Sequence, residues 1–217
     1  MKTENTGESK MKVLLQVPFV SQNSSDILDD WKNRSCGIAC IKMVLDYCHK
    51  NNLLISPFTK NTFTVSELIE EGIAINSFEQ KTGWSHFGLV RILRNHGVIS
   101  YSQEFRSIHV IVDKIDGITF SEGKNYPEIQ IFGIKKIITS ISSGKPVIVS
   151  VGPNFSNNKD NHLIVLTGFE NTNPDNLLDG FLYFHDPDSR DSVEKINFKI
   201  SISDFLKKWR KMAIFVD

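Results

Sequence analysis

The stretch SCGIACIKMVLDYCHK, Ser35 to Lys50, is the one on which the fold turns. Ile38, Ile41, Val44, Leu45 and Cys48 recur at the spacing of one helix face, which predicts an amphipathic helix from Cys36 to about Asn51. Ser35 stands where a helix cap is expected. Cys36 then falls in the first turn, after the polar loop NSSDILDDWKNRS. Unsatisfied backbone N–H groups and the positive end of the helix dipole stabilise a thiolate at such a place. Gly37 beside it would let a substrate backbone come close. The plainer reading of a free cysteine is a small core residue. That reading is the one expected for Cys40 and Cys48, deeper in the same helix.

On the N-terminal side, VLLQVPFVSQ from Val13 is an apolar run broken by Pro18, as in an edge strand, and residues 1–12 read as a loose tail. On the C-terminal side, Thr64 with Glu67 forms a capping-box signature for a helix through about Ile75. Gly83 precedes a third helical pattern on Trp84, Phe87, Val90 and Leu93, which Gly97 stops. VISYSQEF reads as a strand. The segment from Arg106 to Asn125 reads as one or two strands, and Pro127 opens a helix to about Ser143. PVIVSV (146–151), HLIVLTGF (162–169) and GFLYFHD (180–186) are then strands rich in branched and aromatic residues. A short helix near 203–209, with Ser201 and Asp204 spaced as a weak capping box, and the strand MAIFV close the chain. A helical half (about 13–100) followed by an antiparallel sheet half (about 126–217) is an α+β arrangement within one domain, 13–217, and a cleft between the lobes is a natural binding site.

Composition agrees with one ordinary folded unit. The 217 residues are 40% hydrophobic and 23% charged, enough to bury roughly 70% of the unfolded surface without disulfides or metal. Lys plus Arg and Asp plus Glu are 25 each, which argues against a general nucleic-acid or polybasic membrane binder. No apolar run reaches the ~18 residues of a membrane span, and MKTENTGESKMK lacks a secretory apolar core, so a cytoplasmic location is expected. Three cysteines, all between Cys36 and Cys48, make no disulfide framework.

A nucleophilic thiol needs a base, and the base needs an orienting group. His49, His86 and His96 sit among charged neighbours and are expected on the solvated surface; His109 lies in the ambiguous segment. His162 differs: it follows the polar loop NFSNNKDN and opens the run LIVLTGF. If strands 162–169 and 180–186 pair antiparallel, the start of one meets the end of the other. His162 and Asp186 then become cross-strand neighbours, with Cβ atoms roughly 4.5–5.5 Å apart if directly opposite. Such an Asp can fix the imidazole tautomer. HDPDS also has good turn chemistry in its own right. His185 points to the other face, and Asp188 is a substitute for Asp186.

At this point the blocks resemble a known family. VPFVSQ, SCGIACIKMVLDY, GKPVIVSV, NHLIVLTGF and FLYFHDPDS, in that order, resemble the papain-like double-glycine peptidases that process bacteriocins, in a stand-alone form. GLVRILRNHG and DFLKKW fit the same pattern, so the resemblance runs from about Val17 onward. It implies a papain-like fold, Cys36 as nucleophile, His162 as general base, Asp186 as orienting acid, and a peptide or protein as substrate. It also implies an oxyanion-hole glutamine, for which Gln22 is the match. The family's glutamine sits only a few residues before the cysteine, whereas here a long loop intervenes and makes Asn33 a rival. Residues 106–125 have no counterpart and read as an insertion near the cleft. There is no nucleotide-binding Gly-rich Lys-Ser or Lys-Thr loop, so a secretion-coupled role is not simply assumed from the resemblance.

The leading expectation is therefore a cysteine peptidase or amide hydrolase working through a thioester, with no cofactor and no metal. The same thiol and base would serve an acyl transferase, and a peptide-binding module without turnover is the third reading. A thiol switch between Cys36 and Cys40 fits less well, because one helix turn makes bridging awkward. Zinc fits poorly, because CxxxC with a distant His lacks paired-ligand spacing.

Overall fold

The computed structural model describes residues 11–55, 63–106, 108–113, 117–122, 126–153, 155, 161–171, 173, 176–188 and 196–217, and of 108–113 and 117–122 the strand pairing alone. The first strand, β1 (Met11–Leu14), begins inside the stretch expected to be a loose tail. It is shorter than the apolar run, because residues 15–22 follow no regular ladder. The polar loop after it contains one helical turn, α1 (Asp29–Lys32), with Asp29 and Asp30 at its positive end.

Helix α2 (Cys36–Lys50) has the predicted bounds. Ile38, Ile41, Val44, Leu45 and Cys48 are all buried, so the periodicity of the sequence is the periodicity of its contacts. The expected Ser35 cap is not made. Its backbone (φ −96°, ψ 10°) turns the hydroxyl away from the helix N–H groups, and Ser35 Oγ donates to the Gln22 carbonyl at 3.3 Å instead. Gly37 is buried too. A Cβ there would stand 3.2 Å from Leu163, Leu89 and Trp84, so protein side chains fill the space expected to admit substrate backbone.

Helix α3 (Val65–Ala74) carries the predicted capping box: Thr64 accepts from the Glu67 N–H and Glu67 reaches back to the Thr64 N–H at 2.9 Å. The third helical pattern starts late. A two-residue hairpin, β2 (Phe78–Glu79) with β3 (Gly83–Trp84), precedes α4 (His86–Asn95), which Ser85 caps through the Gly88 N–H at 3.0 Å. Trp84 therefore lies before the helix, and Phe87 faces solvent.

Strand β4 (Ser100–Glu104) is followed by a separate hairpin, β5 (Ile108–Asp113) and β6 (Gly117–Glu122), which resolves the ambiguous segment into two strands. Helix α5 (Pro127–Ser142) opens on its proline as predicted. Strands β7 (Val147–Val151), β8 (His162–Asn171) and β9 (Phe181–His185) come next. A strand the sequence reading missed, β10 (Phe198–Ser201), precedes α6 (Ile202–Lys208) and the long closing strand β11 (Trp209–Val216).

The main sheet runs β10-β9-β8-β7-β11-β4, antiparallel at every pairing, with β1 added to the far end of β8. That addition depends on Gly168, where a Cβ would come 2.5 Å from the Val13 carbonyl. Helix α2 packs on β8, and α5 packs on β8, β7 and β11. The class is α+β, as expected. The division along the chain is less clean, since β1 and β4 from the first half complete a sheet made mostly by the second. No described helix is long and apolar enough to cross a membrane.

Candidate active site

The sheet and α2 meet at the mouth of β8. Leu163, the residue after His162, reaches the start of α2 at Gly37, so the helix N-terminus carrying Cys36 abuts the strand carrying His162. Cys36 is partly exposed there, while Cys40 and Cys48 are fully buried. Burial pushes the Cys40 thiol well above its ordinary range and Cys48 up to about 12.

His162 and Asp186 come together as expected, in a slightly different way. Val165 pairs with His185, so Asp186, just past the end of β9, reaches His162 on the diagonal and not from directly across. His162 Nε2 lies 2.7 Å from Asp186 Oδ1, and both side chains are about 95% buried. The same carboxylate oxygen accepts the Asp188 N–H at 3.0 Å, which fixes it in the turn. Burial by itself would lower the His162 pKa. The hydrogen bonds to Asp186 and Cys36, with the charges of both, outweigh it and lift the imidazole to about 10. With Nε2 committed to Asp186, Nδ1 is the nitrogen left for the sulfur.

The other candidates fall elsewhere. His185 is buried; its Nε2 lies 2.9 Å from the Val17 carbonyl and its Nδ1 accepts the Asn197 N–H, so it ties the N-terminal segment to the sheet. Burial, only partly opposed by that carbonyl, holds its pKa low. His49 is exposed as expected. His96 and His86 are not. His96 packs on Phe63 with Nε2 2.6 Å from Glu71 Oε2. His86 lines the cleft beside Cys36 and His162, and its Nε2 is buried without a hydrogen-bond partner among the described residues. Burial first, then the Arg210 charge, hold the His86 pKa below its usual value. Both histidines sit where chain folding, not neighbouring sequence, sets the environment.

Asp188 serves Gln22, not His162. Gln22 is 4% exposed, and its Nε2 donates to Asp188 Oδ1 at 3.1 Å, as does Asn23 Nδ2. The Gln22 N–H donates to the Pro187 carbonyl at 2.8 Å, and its own carbonyl takes the Ser35 hydroxyl. Gln22 is thus tied both to the residue before Cys36 and to the turn after Asp186, so the intervening loop folds it back. Its Oε1 is buried without a partner among the described residues. Asn33, the rival, lines the cleft.

The cleft itself has a volume of about 430 Å³. The β2–β3 hairpin forms one wall, backed by Trp31, Phe78 and Trp84 packed on one another. Trp84 Nε1 donates to the Arg34 carbonyl at 2.6 Å, so this wall braces the loop that leads into Cys36. Ser150, Leu163 and Arg210 from the sheet side also line the cleft. No group of acidic, histidine and cysteine side chains among the described residues could hold a metal ion.

The sequence profile of the Peptidase_C39-like family matches residues 14–214. The chain belongs to that family. It is accordingly a papain-like cysteine peptidase, the class the Cys-Gly-x-Ala, His and Asp-Pro blocks pointed to. Two solved structures are similar to this peptidase. One is a double glycine motif protease from an AMS/PCAT transporter in complex with its leader peptide, 16% identical over 94% of each chain with a TM-score of 0.49. The other is the peptidase domain of Streptococcus mutans ComA with a small-molecule inhibitor, 16% identical over 94% of this chain and 98% of that one, with a TM-score of 0.37. No curated protein matches the sequence.

Proposed function

We propose that the protein hydrolyses a peptide through a thioester on Cys36, with His162 as general base and acid and Asp186 as the group that orients it. The observation that carries this reading is the buried His162–Asp186 contact of 2.7 Å at the end of the helix that opens on Cys36. His162, whose protonated form Asp186 favours, takes the Cys36 proton as the sulfur attacks. Cys36 Sγ attacks the scissile carbonyl carbon. The oxyanion is met by backbone N–H groups at the start of α2 and by the second N–H of Gln22 Nε2, the first being held by Asp188. His162 passes its proton to the leaving amine, and the C–N bond breaks. Water then adds to the thioester, giving a proton to His162, and the acid leaves with the thiol restored.

A peptide as substrate rests on family membership and on a cleft of about 430 Å³ beside Cys36 and His162, lined by the β2–β3 hairpin and the sheet. Incubation with a mixed peptide library, with products read by mass, tests it. Products carrying one added water, absent with Cys36→Ala, are expected. Products joined to an added amine would make the protein an acyl transferase, and no products at all would overturn turnover.

A further inference from the structure

Strand β11 is interrupted where it passes the cleft. Trp209 pairs with Val151 and Met212 with Ser150, so Arg210 and Lys211 are two residues with no place in the ladder. Bulges of this kind re-aim side chains, and they gather beside active sites. This one is built at some cost. Lys211 has a positive φ of 62°, unfavourable for a side chain of its size, and is only 8% exposed. No carboxylate pairs with its amine among the described residues; Nζ donates to the carbonyls of Leu206 and, at 2.9 Å, Trp209. Trp209 Nε1 spans the bulge to the Met212 carbonyl at 2.9 Å, with its ring stacked on Phe205. The bulge is therefore pinned at both ends, and what it presents to the cleft is the Arg210 side chain.

Arg210 faces a complementary gap. The described lining of the cleft includes Arg34, Lys81 and Arg210 but no Asp or Glu. Arg210 has no carboxylate partner among the described residues; the charges of Arg210 and Arg106 act on His86 against that of Glu104, which Arg106 pairs at 3.0 Å. The sheet sets the distance to the chemistry. His162 pairs with Val151, and Val151 with Trp209. The bulge is therefore two strand spacings, about 10 Å, from the His162 backbone, a span of roughly three extended peptide residues.

We propose that Arg210, beside His86, forms a specificity subsite that binds a carboxylate of the peptide substrate, an acidic side chain two to three residues from the scissile bond. A guanidinium fork donates two parallel hydrogen bonds to a carboxylate. The proposal rests on the peptidase reading above.

The test uses quenched fluorescent peptides with Glu, Gln or Lys at each of the three positions on either side of the scissile bond, each made with a C-terminal acid and with an amide. Acylation of Cys36 by peptidyl electrophiles, read by intact mass, runs in parallel. At one of these positions Glu is expected to exceed Gln by roughly 10- to 100-fold in kcat/KM, the range of a charge-assisted hydrogen bond. Arg210→Gln should abolish that preference and Arg210→Glu should turn it toward Lys. Lys81→Gln, an exposed cation on the same cleft, should leave it nearly intact. Arg210 is itself exposed, so these variants should keep the wild-type unfolding temperature. Equal rates for Glu and Gln with normal acylation of Cys36, a preference that survives Arg210→Gln, one that follows Lys81, or one that depends only on the C-terminal acid would each overturn the subsite. Absence of acylation by every electrophile would instead overturn the peptidase reading.

Discussion

The imidazole of His162 and the carboxylate of Asp186 meet at 2.7 Å on the diagonal between β8 and the end of β9, in a pocket that leaves each about 5% exposed. Their contact fixes which nitrogen faces Cys36. It also makes the protonation of His162 a property of three groups, with consequences for rate, stability and labelling.

Asp186→Asn should keep the fold and lose rate. The amide can still occupy the turn and accept the Asp188 N–H, but it no longer favours the imidazolium. A fall in kcat of about 10²- to 10⁴-fold with KM little changed is expected. Steady-state kinetics on a cleaved library peptide measure it. A silent Asp186→Asn would remove the orienting role.

Stability should depend on His162 in a defined pH window. Its folded pKa of about 10 lies above the unfolded value near 6.5. Its contribution is therefore fully present below pH 6.5 and is lost as pH rises toward 10. Lys211 acts in the opposite sense. Burial lowers its amine to about 8, so its penalty disappears as pH rises through 8 to 10.5. Thermal unfolding of wild type minus His162→Ala isolates the first effect. The difference should shrink steadily from pH 6.5 to 10 and shrink less in a Cys36→Ala background.

Much of this arrangement is legible in the sequence because its signals are local. The Thr64–Glu67 box, the proline of α5 and the apolar stripe of α2 each act within a few residues, and each appears where predicted. What the sequence hides depends on partners far along the chain. Ser35 looks like a cap but is drawn to the Gln22 carbonyl. FKIS at 198–201 is too short to announce β10 until Phe184 and Leu182 stand opposite it. His86 reads as a surface residue among polar neighbours, and only the approach of β11 puts it in the cleft. Asp188 and Asp186 are interchangeable in the string HDPDS. The turn separates them, one to Gln22 and one to His162.

The Gln22–Asp188 contact of 3.1 Å yields a test by double mutation. Gln22→Ala should lower turnover by about 10²–10³-fold with little change in affinity. Asp188→Asn should lower kcat less, and should have almost no further effect once Gln22 is gone. Asn33→Ala should be mild. Single-turnover acylation rates for the four proteins decide; a dominant effect of Asn33 would move the oxyanion donor to the cleft wall.

The central claim is that His162 activates the Cys36 sulfur, and alkylation of Cys36 measures it without any substrate. Iodoacetamide labelling, mapped by mass spectrometry, should find Cys36 in the native protein. Cys40 and Cys48, fully buried, should label only on unfolding. In His162→Ala the Cys36 rate should fall by about 10-fold or more. A rate unchanged by His162→Ala, or faster native labelling of Cys40 or Cys48 than of Cys36, would contradict the account.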